Sequence, residues 1–211
     1  MGKAKSVFFC QNCGAESSKW MGRCPQCGEW NTLVEEIIKE TKHSRTPSRG
    51  VGNQTTKPTA LPDIEISSLA RVSTTFGEID RVLGGGIVPG ALMLLGGDPG
   101  IGKSTLLLQV SQKVADTVGT VLYASGEESQ LQLKLRAERL HINSERLQVI
   151  ADTDLDHILE QADTMMPSLL VIDSIQTMYT GDIDAAPGSV SQVRECTSRL
   201  LRFCKERNIP T

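Results

Sequence analysis

The sequence predicts an α/β fold: a mainly parallel sheet with helices on both faces, preceded by a small module built on four cysteines. Three observations predict it. After residue 62, apolar runs of strand length alternate with stretches of helical character, the pattern of a parallel sheet covered on both sides. Gly97-Asp-Pro-Gly-Ile-Gly-Lys-Ser-Thr105 fits the pattern G-x-x-x-x-G-K-[ST] between an apolar run and a helical one. Cys10-Gln-Asn-Cys13 and Cys24-Pro-Gln-Cys27 form two C-x-x-C pairs near the N-terminus.

A chain of 211 residues holds one medium domain plus a small module. With 39% hydrophobic residues but only 4% aromatic, its core is aliphatic. A formal net charge of −3 excludes global attraction to nucleic acid, so any such contact is local. The sequence has neither an apolar run of membrane-spanning length nor a signal peptide, and a cytoplasmic protein is expected. Six cysteines in that setting indicate reduced thiols and metal binding. Met1-Gly2 with Ser6, and Asn53-Gln-Thr55, match short myristoylation and glycosylation patterns that lack supporting context.

Taking the chain in order, residues 1–38 form the four-cysteine finger. A ten-residue loop separates its two pairs, and each is followed by glycine, Gly14 and Gly28. Such a turn bends both thiolates toward one ion, and glycine accepts the left-handed conformation it needs. Cys10, Cys13, Cys24 and Cys27 thus give a closed, structural site for Zn²⁺, with iron in a rubredoxin-like site as the other tetrahedral option. A redox dithiol would need one pair beside a βαβ unit, not two matched pairs. Trp20 and Trp30 flank the second knuckle and are expected to cover the metal core, the alternative being that one stacks on a nucleobase.

Residues 39–62 lose periodicity and read as a flexible basic linker, with Lys39, Lys42, Arg45, Arg49 and Lys57 against Glu40. The α/β domain then occupies 63–211. Strands are expected at 91–95, 121–125, 147–150 and 169–173, and helices at 106–114, 129–140, 155–162 and 190–207. Gly84-Gly85-Gly86 marks a turn before them.

The chemistry gathers where strands end. Gly97, Asp98, Pro99, Gly100, Ile101, Gly102, Lys103, Ser104 and Thr105 form a nucleotide-binding loop whose amides converge on a polyphosphate at a helix N-terminus. Lys103 would reach the β- and γ-phosphates, and Ser104 would ligate Mg²⁺ of a bound ATP. Asp173, closing an apolar strand, is expected to hold the same ion, and Glu127, past another strand, to orient the attacking water. Glu128 is its competitor, but Ser125 and Glu128 fit an S-x-x-E capping box, which assigns Glu128 to the helix start. The run 181–188 reads as a mobile surface loop, and Cys196 and Cys204 as buried residues on one helix face. His43, His141 and His157 have no metal-site spacing.

Four segments combine in a specific way: Cys10 to Cys27 with Trp30, the run from Gly77 to Gly90, the run from Gly96 to Thr105, and Tyr123-Ala-Ser-Gly-Glu-Glu-Ser129. Together they closely resemble the RadA (Sms) family of bacterial DNA-repair proteins, over nearly the whole chain. The resemblance implies a zinc finger followed by a RecA-like P-loop ATPase. It also implies action in homologous recombination beside the recombinase RecA, with single-stranded DNA binding, a homo-hexameric ring and branch migration of recombination intermediates. Glu127 would then be the catalytic glutamate with Lys103, and Asp173 the second acidic motif. Two departures stand out. The family usually has glycine at the position of Thr75, and the chain stops at Pro210-Thr211, where the family's next core strand begins, before its Lys-Asn-Arg-Phe-Gly motif and Lon-protease-like domain. A truncated core is therefore expected. The alternatives are a nucleotide-regulated DNA- or protein-binding module without turnover, and a zinc-ribbon adaptor carried on an ATPase scaffold.

Overall fold

The alternation of apolar runs and turns resolves into two sheets. The computed structural model describes residues 5–38, 58, 60–63 and 71–211. Most of the expected linker, 39–62, lies outside them.

The N-terminal sheet is antiparallel, in the order β2 (Glu16–Ser17), β1 (Lys5–Cys10), β3 (Leu33–Ile38), and its register sets Cys10 opposite Leu33. The two C-x-x-C-G turns hang from this ribbon. In each, the glycine amide closes back on the first cysteine, Gly14 onto the Cys10 carbonyl at 2.8 Å and Gly28 onto that of Cys24 at 3.0 Å. Both glycines are left-handed, at φ of 72° and 76°. At Gly14 space also forbids a side chain, because a Cβ would lie 2.5 Å from Arg194 and 2.9 Å from Val190. The ribbon therefore packs against the helix that carries those residues. The Arg194 guanidinium donates to the Gly14 carbonyl at 2.9 Å.

The second sheet is parallel, with β4 (Val121–Ser125) between β5 (Leu147–Ala151) and β6 (Leu169–Asp173). Every β4 residue is buried, which explains its unbroken apolar run. On one face lie α2 (Lys103–Thr117) and α3 (Gln130–Arg139), packing Leu108, Val114 and Leu133 against Tyr123 and Val171. On the other lie α4 (Leu155–Met165) and α5 (Val190–Arg207), packing Ile158, Cys196 and Leu200 against Leu122 and Leu170. Helices thus cover both faces, and Cys204 joins Cys196 in full burial. Ser129, Asp154 and Ser189 cap α3, α4 and α5 with their side chains. No helix among the described residues is long and apolar enough to cross a membrane.

One expectation fails here. Residues 91–95 are not a regular strand, and Leu94 is 87% exposed. The Thr211 amide donates to the Ala91 carbonyl at 2.9 Å, and the Met93 amide donates to the Thr211 carbonyl at 2.8 Å. This is a parallel ladder around Leu92, continued to β6 by the Leu170 amide on the Pro210 carbonyl at 3.0 Å. The run 181–188 lies on the surface without helix or strand, as expected, and is tied to α5. Gln192, 1% exposed, donates to the carbonyls of Thr180, Ile183 and Ala185 at 3.1–3.2 Å and accepts from the Thr180 amide at 3.1 Å. Asp182 is further held by Arg199.

Before α1 (Gly77–Val82), Asp80 accepts from the Ser73 hydroxyl at 2.6 Å and from both the amide and hydroxyl of Thr74. These bonds, led by that from Ser73, hold its carboxyl below the usual range. The turn places Thr75 at φ 63°, where a β-branched side chain is strained. Thr75→Gly is expected to stabilise the fold by roughly 0.5–1 kcal/mol, after allowing for glycine's added chain entropy. Calorimetry would record a melting temperature higher by about 2 °C. Gln192→Ala leaves buried backbone groups unpaired and should cost about 2–3 kcal/mol, read from chemical denaturation.

Candidate nucleotide and metal sites

The run 91–95 delivers the chain to a loop whose conformation only glycine readily provides. Gly100 and Gly102 are left-handed, at φ of 78° and 103°, and nothing lies within 4 Å of where their Cβ atoms would be. The space over the loop is open where a side chain would otherwise intrude on phosphates. Gly102 caps α2, whose first turn carries Lys103, Ser104 and Thr105, all half-buried. Gly97, Asp98, Pro99, Gly100 and Ile101 are exposed. The Lys103 ammonium bridges its own loop, donating to the carbonyls of Gly97 and Asp98 at 2.8 and 2.9 Å. A glycine loop at a positive helix end with an attached ammonium has the donor groups that a polyphosphate would need.

The carboxylates stand at the ends of β4 and β6, which the run 209–211 separates from the run 91–95. Ser125 and Asp173 are paired in register, and the Gly126 amide donates to the Asp173 carbonyl at 2.9 Å. Gly126 permits the close approach, since a Cβ there would lie 2.0 Å from the Thr177 hydroxyl. Glu127 is exposed and accepts from the Ser174 hydroxyl at 3.0 Å. The structure therefore brings Glu127 and Asp173 onto one clasp. Glu128 turns away to pair with Arg136. The expected S-x-x-E box is displaced: Ser125 does accept from the Glu128 amide at 3.0 Å, but α3 begins four residues later with the reciprocal pair Ser129 and Gln132.

Sequence reading missed three contributors. Ser174 holds Glu127, and Gln192 fixes the loop beyond β6. Tyr123, fully buried in β4, donates its hydroxyl to Asp173 Oδ2 at 2.6 Å. Burial, then Asp173 itself, pushes the phenol well above its ordinary pKa, so it stays a donor. The available signal was a tyrosine among the apolar residues of a strand, whose hydroxyl must find a partner once buried.

In the ribbon the four sulfurs converge. Cys10 and Cys27 lie 3.6 Å apart, Cys13 and Cys24 3.7 Å, and all four sit within 4.8 Å of one another. Zn–S bonds of about 2.3 Å give tetrahedral edges of about 3.8 Å, so the cage fits Zn²⁺. Thiol chemistry agrees. The Thr32 hydroxyl helps lower Cys10 to about 6. Cys13 is pushed up to about 12, the Ala15 amide being outweighed by burial and the other sulfurs. Neighbouring thiolates repel, and a dication relieves that repulsion. The tryptophans do not cover this core: Trp20 is 59% and Trp30 67% exposed, while Phe8, Ala15 and Leu33 pack on the cysteines. Arg23 instead lies over the Trp30 ring, 5.9 Å from its centre.

Comparison with known proteins matches a family to each of the two parts of the chain. A family model described as an AAA domain matches residues 55–211, and one described as a rubredoxin metal binding domain matches 8–35. DNA repair protein RadA of Bacillus subtilis (strain 168) is 55% identical over 211 residues, 100% of this chain and 46% of the relative. The protein of that name from Listeria monocytogenes is 52% identical over 99% of this chain and 46% of its own length. That from Halalkalibacterium halodurans is 49% identical over the same shares. The chain spans about half the length of the curated relatives it matches. It belongs to the AAA domain family, and the bacterial RadA proteins are what it resembles from end to end.

Proposed function

We propose that this chain is the ATP-hydrolysing part of a DNA-repair protein, with a zinc ribbon at 1–38, a basic tether at 39–62 and a RecA-like ATPase at 63–211. The observation that carries the reading is the shared edge: a glycine loop on the N-terminus of α2, at the same sheet edge as Glu127 and Asp173, which are clasped across β4 and β6. ATP lies on the loop amides, with Lys103 on its terminal phosphates. Ser104 and Asp173 would hold Mg²⁺, which when bound would neutralise phosphate charge. Glu127 accepts a hydrogen bond from water and aims it in line at the γ-phosphate, and Ser174 fixes the carboxylate in that orientation.

The likeness to RadA proteins supports a role in homologous recombination on single-stranded DNA, including branch migration. It also supports a cytoplasmic homo-hexamer working beside RecA. The two exposed tryptophans, with Arg23 over one of them, favour a nucleic-acid contact on the ribbon, since bases stack on such rings.

Phosphate release by the full-length protein with single-stranded DNA tests the site. Lys103→Ala should abolish turnover and weaken nucleotide binding. Glu127→Gln should keep binding and lose turnover by about 10²–10⁴-fold. Parental rates in both variants would remove the site, and tight ATP binding without turnover in the parent would leave a nucleotide-sensing module. Ribbon folding should depend on its ion, worth about 10–16 kcal/mol in finger peptides. Cys24→Ser or a strong chelator should therefore release zinc and unfold the ribbon, followed by metal analysis and circular dichroism, while ATP still binds.

A further inference from the structure

Tyr123 sits mid-strand in β4 on the face covered by α2, packed with Leu108, Val114 and Val171. Its ladder partner is Val171, so Asp173, two residues on, presents its side chain to the same face. The phenol reaches along that diagonal to Asp173 Oδ2 at 2.6 Å. Packing needs the ring but not the hydroxyl, and a buried hydroxyl spent on the carboxylate that closes β6 has a directional effect. It fixes the torsion of Asp173, engages Oδ2 and reserves Oδ1.

We propose that Tyr123 is a positioning residue that orients Asp173 toward the nucleotide's magnesium. The inference rests on the reading of Asp173 as the metal-side carboxylate. Through that carboxylate, Tyr123 sets how much Mg²⁺ the site needs, without touching nucleotide or water. Partners of this kind typically change metal affinity by about 10–100-fold when removed.

The test is ATP turnover against Mg²⁺ concentration in the full-length protein, for the parent, Tyr123→Phe and Asp173→Asn. Tyr123→Phe keeps the ring and removes only the oxygen. The expected result is a half-saturating Mg²⁺ raised about tenfold. Turnover at saturating Mg²⁺ should stay within about twofold, and nucleotide binding in EDTA should be unchanged. A purely structural hydroxyl would lower the melting temperature and leave the Mg²⁺ curve in place, and that result overturns the proposal. If the curve moves in Asp173→Asn but not in Tyr123→Phe, the Tyr123 inference falls and the reading of Asp173 stands. If Asp173→Asn leaves it unmoved, both fall together.

Discussion

Parallel pairing of β4 with β6, in the register that sets Ser125 beside Asp173, is the constraint on which the rest of the molecule depends. In parallel strands the carboxyl ends lie at one edge, so whatever follows them meets there. Glu127 follows one strand and Asp173 ends the other, which is why residues 46 positions apart can share the Ser174 clasp. A slip of one residue would turn Asp173 to the opposite face, away from Tyr123 and α2. Buried aliphatic side chains on both faces hold the register, and the site inherits its precision from them.

Much of this was legible in the residues. Strand β6 and helix α5 stand where their apolar pattern placed them, because each buries a face within the folded domain. The same reading failed at 91–95. A strand is defined by its neighbours, and sequence pattern reports burial without reporting which segment lies alongside. Capping chemistry misled in a similar way: Ser125 and Ser129 both satisfy a box pattern, and the reciprocal bonds form at Ser129 with Gln132.

The site was legible in part. Glycines and cysteines declare themselves because their spacing is their function, as at Gly102 and Cys24. Polar side chains that act across strands do not. Nothing in the spacing of Tyr123 and Asp173, or of Gln192 and Ile183, announces that a sheet will join them. Trp30 shows the reverse error: size and neighbourhood suggested a lid over the metal, whereas a core of four cysteines with Phe8 and Leu33 is small enough to close without it.

Gly14 belongs to two structures at once. Its backbone amide shapes a metal knuckle, and its bare α-carbon is the surface on which Arg194 and Val190 rest. Metal geometry and the start of α5 therefore share one atom-scale hinge, and the loop pinned by Gln192 lies directly upstream of it. A distortion at the sulfur cage would therefore be met first by the opening turns of α5, through Val190 and Arg194.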